Sequence, residues 1–288
     1  MAASFHCIRL TVINEDLDCC QGALYERGCL GLIEEAATAA HTELKAYFPD
    51  EGSLARRLED IAGLSGVAQV DGVILQLTAD MFRSLPFEPF ELAESIWVVP
   101  PPEMAPGPVP EDALVLVICP GMAFGTGRHE STQLVATTLK QVPKPVRSLL
   151  DVGTGSGILA ILARRLGMDH VDAVEISEDA RDNARGNFAL NQQGDIQLFA
   201  VLDEVKRRYA VVVANILTPT LIHLKADLIE RVQPGGGLIL AGITLEEGPQ
   251  IEAAFAEFTL QGRSEKNGWL CYYYSCGAKK SGPIGVLM

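Results

Sequence analysis

The stretch Asp151-Val-Gly-Thr-Gly-Ser-Gly157 decides the fold of this 288-residue chain. A short apolar strand over 147–152 leads into its three glycines, and a helix-like segment begins at Ile158. A strand that turns through glycines into a helix points backbone N–H groups at a ligand, and side chains on the glycines would obstruct close approach. The stretch therefore predicts the first βα unit of an open α/β sheet that binds a nucleotide-like molecule.

The spacing of the glycines narrows the choice of ligand. Residue 158 is isoleucine, so the spacing is G-x-G-x-G and not the G-x-G-x-x-G of dinucleotide-binding loops. Asp151 adds a carboxylate that repels phosphate and tolerates a sulfonium with an ammonium group. Glu175 ends the next strand, where a carboxylate can accept both ribose hydroxyls of a nucleoside. We expect S-adenosylmethionine as the cofactor, with an NAD-dependent oxidoreductase as the rival enzyme.

The composition excludes several classes of protein. With 48% hydrophobic and 21% charged residues, the chain is typical of folded proteins. It contains no apolar run of the ~20 residues that a membrane helix needs and no signal-peptide pattern at its start, so we expect a cytoplasmic protein without membrane contact. Its seven cysteines lack paired C-x-x-C spacing, and no metal site is expected. A net charge of −14 disfavours direct nucleic acid binding. It fits a basic protein partner, and the alternative is that the acidity only keeps the protein soluble.

Residues 1–78 are predicted to form a small α+β domain. Its strand-like and helix-like segments follow the order β-α-β-β-α-β, which is the ferredoxin-like arrangement of an antiparallel sheet with two helices on one face. The segments are 5–13, 16–27, 30–35, 43–48, 54–64 and 67–77. The region has no glycine-rich loop and no paired acid and base, so we expect a binding module.

A second, larger domain is predicted over residues 96–277. Prolines and phenylalanines interrupt regular structure over 79–95, which we interpret as a linker, and 278–288 is expected to be a tail. From residue 147 onward, short apolar strands alternate with amphipathic helices. This alternation predicts a Rossmann-like, mostly parallel sheet, covered on both faces and completed by an antiparallel strand.

The segment PGMAFGTGRHEST, residues 120–132, combines three glycines with hydroxyl groups that open a helix at Glu130. This composition predicts a segment that folds over a ligand. Ser131 and Thr132 either contact that ligand or cap the helix. His129 is a candidate base, although a lone histidine at a helix start is more often structural.

Asn215 is the polar candidate on the fourth strand of the predicted sheet, which ends in VANILT over 213–218. The strand end brings Asn215 to the carboxyl edge of the sheet, where open α/β folds bind their ligands. The alternative is that Asn215 only forms a turn.

Three segments in this order closely resemble the PrmA family, the bacterial methyltransferases of ribosomal protein L11. They are FGTGRHEST (124–132), DVGTGSGILA (151–160) followed by Glu175, and VVANILTP (212–219). The resemblance extends to the small first domain, the linker and the chain length, and FGTG-x-H is its most specific part. It implies a class I methyltransferase that moves methyl groups from S-adenosylmethionine to lysine side chains and the amino terminus of ribosomal protein L11. The first domain would hold that substrate.

The resemblance also assigns roles to individual residues. The implied cofactor contacts are Thr132, Gly153, Glu175 and Asn215, with Asp151, Gly155 and Phe124 beside them. Asn215 is also the candidate catalytic residue, because its oxygen can orient a neutral amine.

Some residues depart from the family pattern. Arg128 precedes His129 where a small or polar residue is usual, Glu175 stands where Asp is common, and Thr218 follows NIL where small residues are usual. Arg128 and Thr218 bear on the choice of substrate. The alternative substrates are another basic protein or a small amine, and the alternative outside enzymes is a non-catalytic nucleotide-binding module.

Overall fold

The computed structural model describes seven stretches of the chain, namely residues 3–29, 31–50, 52–77, 88–104, 107–119, 126–143 and 145–277. The chain divides into two compact units, of which the first includes the described residues up to 77 and the second those from 88 onward. Most of the predicted linker and the whole predicted tail lie outside the described residues. Each unit has a hydrophobic core of its own.

The first unit has the predicted β-α-β-β-α-β order. Its elements are β1 (Ala3–Ile13), α1 (Leu17–Glu26), β2 (Gly31–Ala37), β3 (His41–Pro49), α2 (Leu54–Ala62) and β4 (Val67–Leu77). The strands pair antiparallel in the order β2-β3-β1-β4. Alternate residues of β1, Ile8 and Leu10, pack in one cluster with Leu24 of α1 and Ile61 of α2. Both helices therefore cover the same face, and the ferredoxin-like prediction is confirmed.

The second unit begins with a small sheet and continues as an alternation of strands and helices. The elements are β5 (Phe90–Ala93), β6 (Ile96–Val99), β7 (Leu114–Val117), α3 (Glu130–Gln141), β8 (Ser148–Val152), α4 (Ile158–Arg165), β9 (His170–Val174), α5 (Glu178–Leu190), β10 (Gln197–Phe199), β11 (Tyr209–Asn215), α6 (Thr218–His223), α7 (Lys225–Glu230), β12 (Val232–Thr244), α8 (Gly248–Ala254), β13 (Thr259–Lys266) and β14 (Trp269–Ser275). The small sheet has the order β5-β6-β7.

Within the described residues, seven strands form the main sheet in the order β10-β9-β8-β11-β12-β14-β13. All neighbours pair in parallel except β14, which runs antiparallel to β12 and β13. Neighbouring residues of β8 point to opposite faces: Leu149 packs in one core cluster and Leu150 in the other. The predicted Rossmann-like sheet with two covered faces is confirmed, and the strand order reverses between β8 and β11, where such sheets bind ligands.

Two strands of the structure are not predicted from the sequence. Phe90–Ala93 forms β5, which pairs antiparallel with β6. Thr259–Lys266 forms the edge strand β13, whose residues are half-buried or exposed, so it lacks the apolar pattern that marks a strand in the sequence. In the stretches that the structure describes, no helix is long and apolar enough to cross a membrane.

Candidate functional site

The glycine turn between β8 and α4 has a backbone that other residues rarely adopt. Gly153, Gly155 and Gly157 have φ angles of +74°, +53° and +84°. A Cβ on Gly153 would lie 2.4 Å from Cγ2 of Ile216, and one on Gly157 would lie 2.5 Å from Cε1 of Phe188. Glycine is therefore required at both positions, because its backbone adopts positive φ angles readily and because a side chain would clash with these neighbours. The turn packs against the residue that follows β11 and against α5.

The Glu175 carboxylate lies over this turn. The parallel pairing of β8 with β9 places Glu175 beside the glycines, and Gly153 N–H donates to the carbonyl of Val174 at 2.9 Å. Oε2 of Glu175 accepts a hydrogen bond from Gly155 N–H at 3.0 Å, and Oε1 accepts one from Ser177 N–H at 3.0 Å. Each carboxylate oxygen has a second lone pair, so both can also accept a hydroxyl group of a ligand.

Asp151, at the end of β8, is a buried carboxyl group. Its Oδ2 accepts a hydrogen bond from the Thr154 hydroxyl at 2.5 Å, whereas Oδ1 is buried and has no hydrogen-bond partner among the described residues. Burial raises the pKa of Asp151 to about 7; the Thr154 hydroxyl and the backbone N–H of Ala160 oppose this shift, and the negative charge of Glu175 adds to it. A cation placed beside Asp151 would favour the ionised carboxylate.

Asn215 and Thr132 come together although they are distant in sequence. Asn215 ends β11, and its Nδ2 donates to the hydroxyl of Thr132 at 3.3 Å. Thr132 is buried in the first turn of α3. The other amide atom of Asn215, Oδ1, is buried without a hydrogen-bond partner in the described part of the chain. The site thus contains an acceptor oxygen whose hydrogen-bonding capacity is unused.

His129 caps α3. Its Nδ1 accepts a hydrogen bond from Ser131 N–H at 3.2 Å and lies 2.7 Å from the Ser131 hydroxyl. The ring packs edge-on against Trp269 with a centroid distance of 4.4 Å, and burial lowers the pKa of His129. Because Nδ1 accepts from a backbone N–H, the proton of the neutral ring is on Nε2. The geometry favours the structural alternative for His129 over a base, and neither Ser131 nor Thr132 is the cap.

Arg128 and Thr218, the two residues that bear on the choice of substrate, make structural contacts. The Arg128 guanidinium stacks over the Phe90 ring at 4.4 Å and donates to the carbonyl of Glu88 at 2.9 Å. Thr218 donates its hydroxyl hydrogen to Oε2 of Glu247 at 3.0 Å.

The same Glu247 oxygen accepts from the backbone N–H of Thr244 at 2.9 Å and from the Thr244 hydroxyl at 3.0 Å. The first residue of α6, Thr218, is therefore hydrogen-bonded to the loop after β12.

Comparison with known proteins identifies the chain's relatives. The family model described as "Ribosomal protein L11 methyltransferase (PrmA)" matches residues 4–275. The chain belongs to this family.

Individual relatives agree with the family match. The ribosomal protein L11 methyltransferase of Burkholderia vietnamiensis (strain G4 / LMG 22486) is 34% identical over 247 residues, which cover 84% of this chain and 81% of the relative. The enzyme of the same name from Burkholderia mallei (strain NCTC 10229) is 34% identical over 246 residues, with the same coverage. The crystal structure of a ribosomal protein L11 methylase from Lactobacillus delbrueckii subsp. bulgaricus matches with a TM-score of 0.61 and 34% identity, covering 66% of this chain and 100% of that one.

The predicted family, fold, enzyme class and cofactor are confirmed. This member of the PrmA family is a methyltransferase that uses S-adenosylmethionine as methyl donor. The roles of the individual site residues remain predictions. Phe124 lies outside the described residues.

The sequence reasoning missed exposed apolar side chains at the carboxyl edge of the main sheet. Ile176 directly follows Glu175 and is 82% exposed, and Val201, two residues after β10, is 44% exposed. Large apolar side chains exposed at a ligand-binding edge are typical of a binding surface. The sequence does contain an indication of this surface: Ile176 is a large apolar residue between Glu175 and a run of polar residues, at a point where the chain leaves the core.

Proposed function

We propose that this enzyme methylates lysine side chains and the amino terminus of ribosomal protein L11, with S-adenosylmethionine held at the carboxyl edge of the main sheet between β9 and β11. One observation carries the proposal: Glu175 and the Asn215–Thr132 pair flank the same glycine turn at the point where the strand order reverses. The family names of the relatives support this choice of substrate.

The residues present fit the three chemical parts of this cofactor. Glu175 would accept the ribose hydroxyls, because both of its oxygens are already oriented by backbone N–H groups. The exposed side chains of Ile176 and Val201 would cover the adenine. Asp151, whose Oδ1 is unpaired among the described residues, would favour the positive charge of the amino acid part. Gly153 leaves room for a close approach to the backbone.

When bound, S-adenosylmethionine supplies a methyl group to the lone pair of an amine in an in-line displacement, for which positioning is decisive. The protein must hold a neutral amine, and lysine titrates near 10.4, so deprotonation at pH 7 costs about 4.6 kcal/mol. A site that excludes water lowers this cost by lowering the pKa of the amine. Asn215 would accept an N–H of the neutral amine with its unpaired Oδ1 and so direct the lone pair toward the methyl group.

The first unit would hold the protein substrate. Ribosomal protein L11 would bind as a basic partner, since the enzyme has a net charge of −14. This charge also supports action without direct contact to nucleic acid. The enzyme would act in the cytoplasm, where ribosomal proteins are made.

A methyl-transfer assay with a radiolabelled donor tests the proposal. Purified ribosomal protein L11, a lysate from which that protein has been removed, and a set of small amines would be compared as acceptors. The proposal expects label mainly in ribosomal protein L11. Label confined to the other two acceptors would contradict the proposed substrate. Tight binding of NADH without binding of S-adenosylhomocysteine would contradict the proposed placement of the cofactor.

A further inference from the structure

Asn187 connects the glycine turn to β7 from its position on α5. The residue is fully buried. Its Nδ2 donates to the carbonyl oxygen of Ser156 at 2.8 Å, inside the turn, and its Oδ1 accepts from Cys119 N–H at 2.8 Å, just beyond β7. A single side-chain amide therefore satisfies one backbone acceptor and one backbone donor from segments that have no direct connection in sequence.

The bond to Ser156 fixes the peptide group that precedes Gly157. A peptide group is planar, so a hold on the Ser156 oxygen also orients Gly157 N–H, which donates to the carbonyl of Thr154 at 2.9 Å. Phe188, the next residue on α5, fills the space beside Gly157 where a Cβ would lie. The turn that is held in this way presents Gly155 N–H to Glu175.

Asn191 offers a natural comparison, because it lies one helical turn further along and also binds backbone. Its Oδ1 accepts from Val117 N–H at 3.0 Å, and its Nδ2 donates to the Val117 carbonyl at 2.7 Å and to the Asn187 carbonyl at 2.8 Å. Asn191 is also buried. Both ends of its amide thus hydrogen-bond to the backbone of β7, as a neighbouring strand would. In Asn187, by contrast, one end of the amide binds the backbone just beyond β7 and the other binds the glycine turn.

We propose that Asn187 is a positioning residue for the cofactor: it holds the Ser156–Gly157 peptide in the conformation that places Glu175 for ribose binding. The inference rests on the proposed placement of S-adenosylmethionine over the glycine turn. Loss of the Nδ2 donor removes the hydrogen bond that orients the Ser156 carbonyl, so the turn is held less firmly in this conformation. The cofactor must then restore the turn when it binds, and its affinity falls.

A pair of matched variants tests the proposal. Asn187→Asp keeps the acceptor for Cys119 N–H but cannot donate to the Ser156 carbonyl or to Oδ1 of Asn183. Asn191→Asp keeps the acceptor for Val117 N–H but cannot donate to the carbonyls of Val117 and Asn187. Both add one carboxylate, one within α5 and the other at the residue that directly follows it. Calorimetric titration of the full chain with S-adenosylhomocysteine should give a Kd raised about tenfold or more for Asn187→Asp, and within about twofold of wild type for Asn191→Asp.

Kinetics supply a readout that a merely structural role would not move. Asn187→Asp should raise KM for S-adenosylmethionine while kcat at saturation stays near wild type, whereas a smaller folded fraction would lower the apparent kcat and the binding stoichiometry at unchanged Kd. If Asn187→Asp does not fold, Asn187→Ser, whose shorter side chain lacks the Nδ2 donor that reaches the Ser156 carbonyl, takes its place with the same expected direction.

An unchanged Kd in Asn187→Asp, or an equal rise in Asn191→Asp, would overturn the inference. Absence of S-adenosylhomocysteine binding by the wild-type enzyme would instead overturn the proposed placement of the cofactor.

Discussion

The side-chain amide of Asn215 donates a hydrogen bond to the hydroxyl of Thr132 at 3.3 Å, which joins the end of β11 to the first turn of α3. The bond uses the donor end of the amide and leaves its buried oxygen without a partner among the described residues. The pair thereby orients the one side-chain oxygen that we propose for the amine. Thr132, through its hydroxyl, determines which way the amide of Asn215 faces.

Replacement of Asn215 should impair turnover strongly. Asn215→Ala removes the proposed acceptor for the amine, and we expect kcat to fall about 100-fold, as is typical when a reacting group loses its orientation. Thr132→Val, which removes only the hydroxyl, should lower turnover in the same direction, and Thr132→Ser should retain most of it. Steady-state rates and S-adenosylhomocysteine affinity of the three variants are the measurement. Near-wild-type values of both quantities in Asn215→Ala would exclude the assigned role.

Glycine replacements in the turn should reduce stability and cofactor binding together. Gly153→Ala places a Cβ 2.4 Å from Ile216 at a φ of +74°, and a left-handed backbone at a residue other than glycine costs about 1–3 kcal/mol. Gly186→Ala is the control, because a Cβ added to this helical glycine would have no atom within 4 Å apart from its own helix backbone. Alanine there should raise the free energy of unfolding by about 0.5–1 kcal/mol. Urea unfolding of both variants measures the difference. Equal free energies of unfolding would contradict the account of the turn.

Cofactor affinity should depend on the carboxylate of Glu175, even when the side chain is replaced by one of the same size. In Glu175→Gln one of the two oxygens becomes an NH₂ group, which would face either Gly155 N–H or Ser177 N–H, so two donors oppose each other. We expect S-adenosylhomocysteine affinity to fall about tenfold or more. Glu178→Gln, in the first turn of α5 and exposed to solvent, is the control. An affinity loss of the same size in the control would point to a general charge effect.

Asp151 makes cofactor binding dependent on pH. Its pKa is raised to about 7, chiefly by burial, and a cationic ligand binds the ionised form better. Affinity for S-adenosylmethionine should therefore rise as the pH increases through 7, and binding at lower pH should release a proton. Calorimetry in buffers of different ionisation enthalpy measures this release. Asp151→Asn should bind with little change over the same interval.

The same group affects the stability of the unliganded enzyme with a defined sign. A carboxyl whose pKa is raised in the folded state stabilises the fold while it is protonated, and this contribution is lost as the pH rises through about 7. Thermal unfolding of the wild type should therefore show a fall in stability, relative to Asp151→Asn, between about pH 4 and pH 7. The opposite slope would mean that the folded state favours the charged carboxylate.

The local parts of the site could be predicted from the sequence. The glycine turn depends on residues adjacent in the chain, and Glu175 and Asn215 follow from the ends of apolar strands, which meet at one edge of a parallel sheet. The partner of Asn215 could not be derived in this way. Its bond to Thr132 requires the packing of α3 against the sheet, which no local pattern specifies.

Other features could not be predicted, because their residue types occur in several structural roles. Asn187 and Asn191 look like polar residues on an amphipathic helix, yet they are buried and bind the backbone around β7. His129 caps α3 although Ser, Thr, Asp and Asn are the usual caps. The edge strand β13 is too polar to show the alternation of apolar and polar residues that identifies a strand in a sequence. The roles of Asn187 and Asn191 and the pairing of β13 depend on contacts between distant parts of the chain, which a single sequence does not specify.

Mass spectrometry of ribosomal proteins from cells with and without this gene tests the central claim most directly. We predict that ribosomal protein L11 from cells with the gene carries additional methyl groups on lysine side chains and on its amino terminus, and that these are absent without the gene. Identical masses of ribosomal protein L11 from both cell types, with a methylation difference on another protein or on none, would contradict the account.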